Sequence, residues 1–241
     1  MNLAVIYARL YLDCARRALA SIGKSPWTLL LPMGLFFVMG LAGVVAAPLG
    51  MAGGFVMGAV IAALGSCYLY FLGELVANAK VKLAEFGKSI GAYFWSVANV
   101  LFVYWIASIL LNAVLSGSPQ ARGASSALGW GAVVLLNAVP EVIYRNRTYG
   151  GLATIQRAVQ FLQGNWLEWG VPNVLLLAAL QFARTDGAGL LVFQLGTVGF
   201  VIWSIVFGGL FHLVMVFRGH LFVELDGSSH RQRMFRYRTA A

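Results

Sequence analysis

Apolar residues fall into six long blocks, at 27–47, 54–74, 93–115, 127–144, 166–182 and 190–217, separated by short polar stretches. A helix rises about 1.5 Å per residue and the hydrocarbon core of a bilayer is about 30 Å thick, so a crossing needs about 20 residues. Most blocks are near that length; 127–144 and 166–182 sit at the short end, and 190–217 must tilt or run past the interface. The pattern predicts an all-α polytopic membrane protein, with six transmembrane helices arranged as three hairpins.

Between the blocks the period changes. Residues 3–22 set Arg9, Asp13, Arg16, Arg17 and Ala20 on one helical face and Leu3, Ile6, Tyr7, Leu10, Tyr11 and Cys14 on the other. That is the pattern of a helix lying in the membrane interface. Lys24-Ser25-Pro26 ends it, and Trp27 stands where an interfacial aromatic anchor is expected. Residues 81–90 repeat the device, with Leu83, Phe86, Gly87 and Ile90 opposite Lys82, Glu85, Lys88 and Ser89. Residues 151–164 place Leu152, Ile155, Val159 and Leu162 at helical spacing among Gln156, Arg157, Gln160 and Gln163. Each amphipathic segment leads into an odd-numbered span, so one unit, interfacial helix plus hairpin, occurs three times. Ungapped matches point the same way: Arg17-Ala18, Pro32 and Leu35 align with Arg157-Ala158, Pro172 and Leu175, and 97–101 aligns with 171–175. Repeats of this kind share one orientation. The expected organisation is an interfacial helix at 1–26, a six-helix membrane domain at 27–217 and a basic tail at 218–241.

Charge orients this scheme. Of 17 Lys and Arg, only Arg122 and Arg184 fall on one side; the other fifteen share the side of both termini. The positive-inside rule makes that side cytoplasmic. Apolar content of 60%, charged content of 10% and mean hydropathy of +0.81 exclude a soluble globular chain. The net charge of +9 needs no nucleic acid, because basic flanks hold helices against an anionic inner leaflet. The first 26 residues lack an apolar core for a cleavable signal, so the first span is expected to act as an uncleaved anchor. Cys14 and Cys67 face the reducing side with no metal-ligand spacing, and read as small apolar filler. Arginine outnumbers lysine, with abundant Ala and Gly, which fits a GC-rich bacterial genome.

The amphipathic segment before each hairpin, with Phe161-Leu162-Gln163-Gly164-Asn165-Trp166 entering a span, resembles a group of bacterial multi-pass inner-membrane proteins. That group includes the membrane region attached to some glycerophosphodiester phosphodiesterases. The resemblance implies architecture only, because the phosphodiesterase chemistry of that family belongs to a soluble domain with no counterpart in these residues.

Polar residues inside spans are the candidates for function, since lipid penalises them. Glu74, Glu141, Glu168 and Glu224 lie at or near span ends, where pairing with Lys80, Arg145 or Arg157, or with a helix dipole, accounts for them. His212 and His220 are eight residues apart, about 12 Å along a helix, too far to share a metal. No span carries an ionisable group near its centre, which argues against an ion-coupled antiporter. Pro32, Asn137, Pro140, Pro172 and Asn173 form a candidate intramembrane kink site, because proline frees a carbonyl one turn upstream and a buried amide needs a partner. In the tail, Arg231, Arg233, Arg236 and Arg238 alternate with other residues and are candidate lipid or partner contacts. No catalytic motif, metal site or cofactor site is recognisable. The expected function is a non-enzymatic subunit or scaffold of an inner-membrane assembly, with the anionic leaflet and other protein subunits as partners. The alternative is a permease-type transport subunit working with a separate cytoplasmic ATPase.

Overall fold

The computed structural model describes residues 3–115, 129, 131, 134, 136–146, 150–182 and 188–239. Every element among them is helical: α1 Leu3–Lys24, α2 Leu31–Ala46, α3 Met51–Asn78, α4 Phe86–Ala92, α5 Phe94–Leu115, α6 Val139–Asn146, α7 Gly151–Phe182, α8 Ala188–Asp226 and α9 His230–Thr239. Short 3₁₀ turns at Pro26–Leu30, Ala47–Leu49 and Leu83–Glu85 precede α2, α3 and α4.

Four stretches among the described residues are long and apolar enough to cross a bilayer: Pro26–Leu49, Met51–Asn78, Phe94–Leu111 and Gly196–Asp226. Little of each is buried against protein; Phe36, Phe37, Val44, Val45, Phe55, Trp105 and Phe200 all point outward. Exposed apolar surface of this kind is compatible with a lipid surrounding. Ser108 and Ser204, within these spans, each donate to a carbonyl one turn back at 2.8 Å, which satisfies the hydroxyl locally.

The other two expected spans, 127–144 and 166–182, are not among these four. At 127–144, residues 136–138 form a turn and helix resumes as α6, while most of 127–135 lies outside the described residues. The 166–182 block is helical but is the second part of α7, which departs from helical geometry at Asn165 (φ −136°, ψ 24°). Its 17 residues span about 25 Å, short of the core thickness, and it opens on the buried Glu168. The last span breaks at Gly196, whose φ of 55° suits a residue without Cβ, and then runs on to Asp226, nine residues beyond the expected end at 217. The loops holding Arg122 and Arg184 lie outside the described residues.

Contacts divide the chain into two compact units. One comprises Met1–Val45, Phe71–Glu85 and Asn165–Ala241. In it the α1 face of Ile6, Leu10, Cys14, Ala18 and Ile22, read from the sequence as the apolar face, is buried against protein, and α1 packs lengthwise on α8. Arg17 meets Glu224, Ser21 meets His220, Leu29 lies against Gly209 and Pro32 against Gly208, so the two tracks run antiparallel. Ser25, where α1 ends, is buried; its hydroxyl accepts the Val81 N–H at 3.2 Å and its carbonyl accepts the Thr28 hydroxyl at 2.8 Å. Trp27 packs edge-on to Phe71, ring centroids 5.5 Å apart.

The other unit comprises Ala46–Tyr70 and Phe86–Gly164. Ser66 Oγ donates to the Ser89 carbonyl and accepts the Tyr93 N–H, both at 2.8 Å. Ser89 Oγ donates to the Phe86 carbonyl and lies 3.1 Å from Cys67 Sγ. Ser89, on the expected polar face of 81–90, is therefore the inward residue, and Phe86 and Ile90 are exposed. At 151–164 the inward face is a third one, formed by Gly151, Thr154, Ala158 and Phe161, while Leu152, Gln156, Gln160 and Gln163 are exposed. A Cβ on Gly151 would lie 2.6 Å from the Asn99 carbonyl oxygen, so only glycine permits that approach. Small and hydroxyl-bearing residues make the helix contacts here, and the larger apolar ones are left for the surroundings.

Candidate functional site

Among the described residues, the largest assembly of buried charge lies where α1, the break in α7, the end of α8 and α9 meet, within the first unit. Asn165 leaves helical geometry, so Glu168 falls in the first turn of the restarted helix. Its carboxylate accepts from Arg233 Nη2 at 3.2 Å, with both side chains almost wholly buried. The same Nη2 donates to Asn165 Oδ1 at 2.8 Å, and Nη1 donates to the carbonyls of Leu225, at 3.1 Å, and Ser228. Arg233 thus ties the break in α7 to the last carbonyls of α8, where a cation is favoured. A capping box aims it inward: Ser229 Oγ accepts the Gln232 N–H and Gln232 Oε1 accepts the Ser229 N–H, fixing the start of α9.

A second carboxylate, Glu224, lies between Arg17 of α1, at 3.4 Å, and Arg236 of α9. These arginines are half exposed, so the ties are screened and weaker than the buried one. The guanidinium of buried Arg218 sits 5.2 Å from the Trp169 ring centroid, and Trp169 packs edge-on to Phe222 at 6.0 Å.

Pro172 explains one further contact. Lacking an N–H, it leaves the carbonyl four residues back, that of Glu168, without its helical donor. Tyr11 Oη donates to that carbonyl at 3.1 Å from α1. Burial, with the Glu168 carboxylate adding, pushes the Tyr11 phenol up to about 12, so it stays a donor. One residue on, Asn173 Nδ2 donates to the Trp169 carbonyl at 2.6 Å. Tyr11→Phe removes the donor and is expected to cost about 1–3 kcal/mol, the penalty of an unsatisfied buried carbonyl. In a Pro172→Ala background, where the main chain supplies an N–H, the same change should cost clearly less. Thermal unfolding of the four proteins of this cycle in detergent measures the difference; equal costs in both backgrounds would refute the assignment.

Of the residues singled out in the sequence, the structure brings Pro172, Asn173, Arg233 and Arg236 into this cluster. Arg233 and Arg236 are ion-paired within the chain instead of reaching toward lipid. Arg231 is exposed, on an open groove of about 620 Å³ with Gly227, Gln232, Phe235 and Arg236. Arg238 belongs to α9, but its side chain lies outside the described residues. Pro32 and Pro140 do not interrupt helices: each is the second residue of one, where its missing N–H has no intrahelical partner. Asn137 lies in the turn before α6.

Long-range partners supply the ion pairs of Glu168 and Glu224 that the structure shows. Arg233 reaches Glu168 from 65 residues away and Arg17 reaches Glu224 from 207 residues away, while Arg236, 12 residues on, completes the Glu224 pairing. Glu74 accepts from Asn78 Nδ2 at 2.8 Å, and Glu141 is fully buried in α6. Cys14 and Cys67 are both free and buried; burial pushes the Cys14 thiol up to about 12, against the pull of Arg17. Among the described residues no group of three His, Cys, Asp or Glu is placed to hold a metal. Comparison with known protein families, curated proteins and solved structures finds no match.

Proposed function

We propose that this chain is a non-enzymatic integral subunit, or scaffold, of a bacterial inner-membrane assembly, crossing the membrane six times as three hairpins with both termini in the cytoplasm. The observation that carries the reading is the use made of its polar interior. Glu168, Glu224, Arg17, Arg233, Arg236, Tyr11 and Asn173 are each engaged in ties between or within helices. Groups held in this way give a helix bundle one arrangement, which a docking platform needs, and none is presented to a substrate. The Arg17–Glu224 pair also supports the topology, because it joins the segment before the first span to the segment after the last. The fifteen-to-two charge partition supports a cytoplasmic side for both.

A permease-type subunit is the second reading, favoured by the breaks at Asn165 and Gly196, since discontinuous helices build transport sites. Single cysteines at Pro32, Asn137, Pro172 and Asn173, treated with a small water-soluble thiol reagent from each side of the membrane, separate the two. A scaffold leaves Pro32→Cys, Pro172→Cys and Asn173→Cys unlabelled, because those positions are buried. Native Cys14, buried and with a raised pKa, does not compete. Ready labelling from both sides would reveal a water-filled pathway and overturn the scaffold.

A further inference from the structure

The face of α1 turned away from α8 carries a second apolar stripe. Val5, Leu12 and Leu19 are 41%, 55% and 59% exposed, at intervals of seven residues. Ala8, exposed, and Ala15, half-buried, stand three residues after Val5 and Leu12. Apolar residues alternating three and four apart form a coiled-coil seam, and alanine at every second position lets another helix come close. One edge of the seam is basic: Arg9 and Arg16 follow Ala8 and Ala15 directly, and the Arg16 side chain is 78% exposed, with Asp13 3.9 Å away.

Three occupants have to be weighed against that geometry. A membrane surface needs α1 in the plane of the leaflet, yet α1 runs antiparallel along α8, which stays helical from beyond Gly196 to Asp226. A second copy of this chain would, in an antiparallel pair, set the Arg9 and Arg16 edges against each other. In a parallel pair Arg16 would face Tyr11, and the edge that carries Tyr11 and Ala18 supplies no carboxylate. A helix from another protein with carboxylates along its edge satisfies both the apolar seam and the charge.

We infer that the exposed Val5–Ala8–Leu12–Ala15–Leu19 seam of α1 is the docking site for an acidic amphipathic helix of a partner protein. The inference rests on the scaffold reading and specifies its partner. The full-length chain, in nanodiscs containing anionic lipid, is titrated with a fluorescent synthetic helix of about three heptads, with leucine and alanine in the seam and glutamate on its edges. A lysine-edged version serves as the control.

The glutamate probe binds saturably, and the lysine probe binds at least about tenfold more weakly. Leu12→Ser and Leu19→Ser weaken the glutamate probe by at least about tenfold, and the milder Leu12→Ala, which keeps the helix intact, weakens it measurably. The Arg9→Glu, Arg16→Glu double variant reverses the preference between probes. Equal binding of both probes, or binding indifferent to these variants, overturns the inference. So does disulfide-linked dimer formation by Leu12→Cys, which would assign the seam to a second copy. Quenching of a fluorophore at Leu12→Cys by lipid-attached nitroxide would assign it to the bilayer, and also overturns it. Absence of any probe binding sinks the acidic-helix assignment alone; the scaffold reading stands or falls separately on the thiol labelling of the spans.

Discussion

Arg233→Ala is expected to destabilise the protein by about 3–5 kcal/mol, because it leaves the Glu168 carboxylate buried without its counter-ion. It also strips donors from Asn165 Oδ1 and from the carbonyls of Leu225 and Ser228. The fall should appear as a lower apparent midpoint of thermal unfolding in detergent and as faster proteolysis of α9. Arg236→Ala, at a half-exposed pair, should cost no more than about 1 kcal/mol. Combining Arg233→Met with Glu168→Leu should recover much of the loss, since an apolar pair of similar volume has no desolvation penalty to offset. Similar small effects from Arg233→Ala and Arg236→Ala would show that the tail is not docked as described. That contrast separates a buried clasp from a tail lying free on the inner leaflet.

Trp169→Ala should be of the same size, about 3–5 kcal/mol, through the cavity left by the largest fully buried side chain among the described residues. It removes the ring beneath Arg218 and the edge contact to Phe222 together. Trp169→Phe keeps part of the volume and should cost less. Trp166, three residues earlier and 68% exposed, is the internal control: Trp166→Ala should change unfolding by no more than about 0.5 kcal/mol. Comparable losses at the two positions would mean that the helix after Asn165 is rotated from the orientation given above.

These contrasts mark how far the amino-acid pattern reaches. The spans at 27–47, 54–74, 93–115 and 190–217 were legible because hydrocarbon imposes a long unbroken apolar requirement that needs no knowledge of neighbours. The amphipathic stretches were legible as helices, and the break at Gly164-Asn165 between one of them and its span falls where the pattern changes. The side on which each amphipathic stretch is buried was not legible. In 81–90 the period places Ser89 among polar residues, but the Ser66 hydroxyl and Cys67 draw it inward. In 3–22 the face of Ile6, Leu10 and Cys14 was read as lipid-directed, and α8 covers it instead.

The cluster at the foot of the bundle was legible only in fragments. Pro172 announced a freed carbonyl, yet nothing local named Tyr11, 157 residues away from Glu168, as its donor. The tail declared its positive charge, but whether Arg233 meets phosphate or carboxylate depends on Glu168, in a different helix. The sequence alone therefore determined the helices and the apolar surfaces that can face lipid, because each follows from the residue and its near neighbours in a given solvent. Tertiary structure decided which charges are neutralised within the chain, which apolar stripe of α1 stays open and which residues fill proline-made gaps. Those outcomes depend on atoms brought together from distant parts of the chain, and one-dimensional spacing carries no record of that meeting.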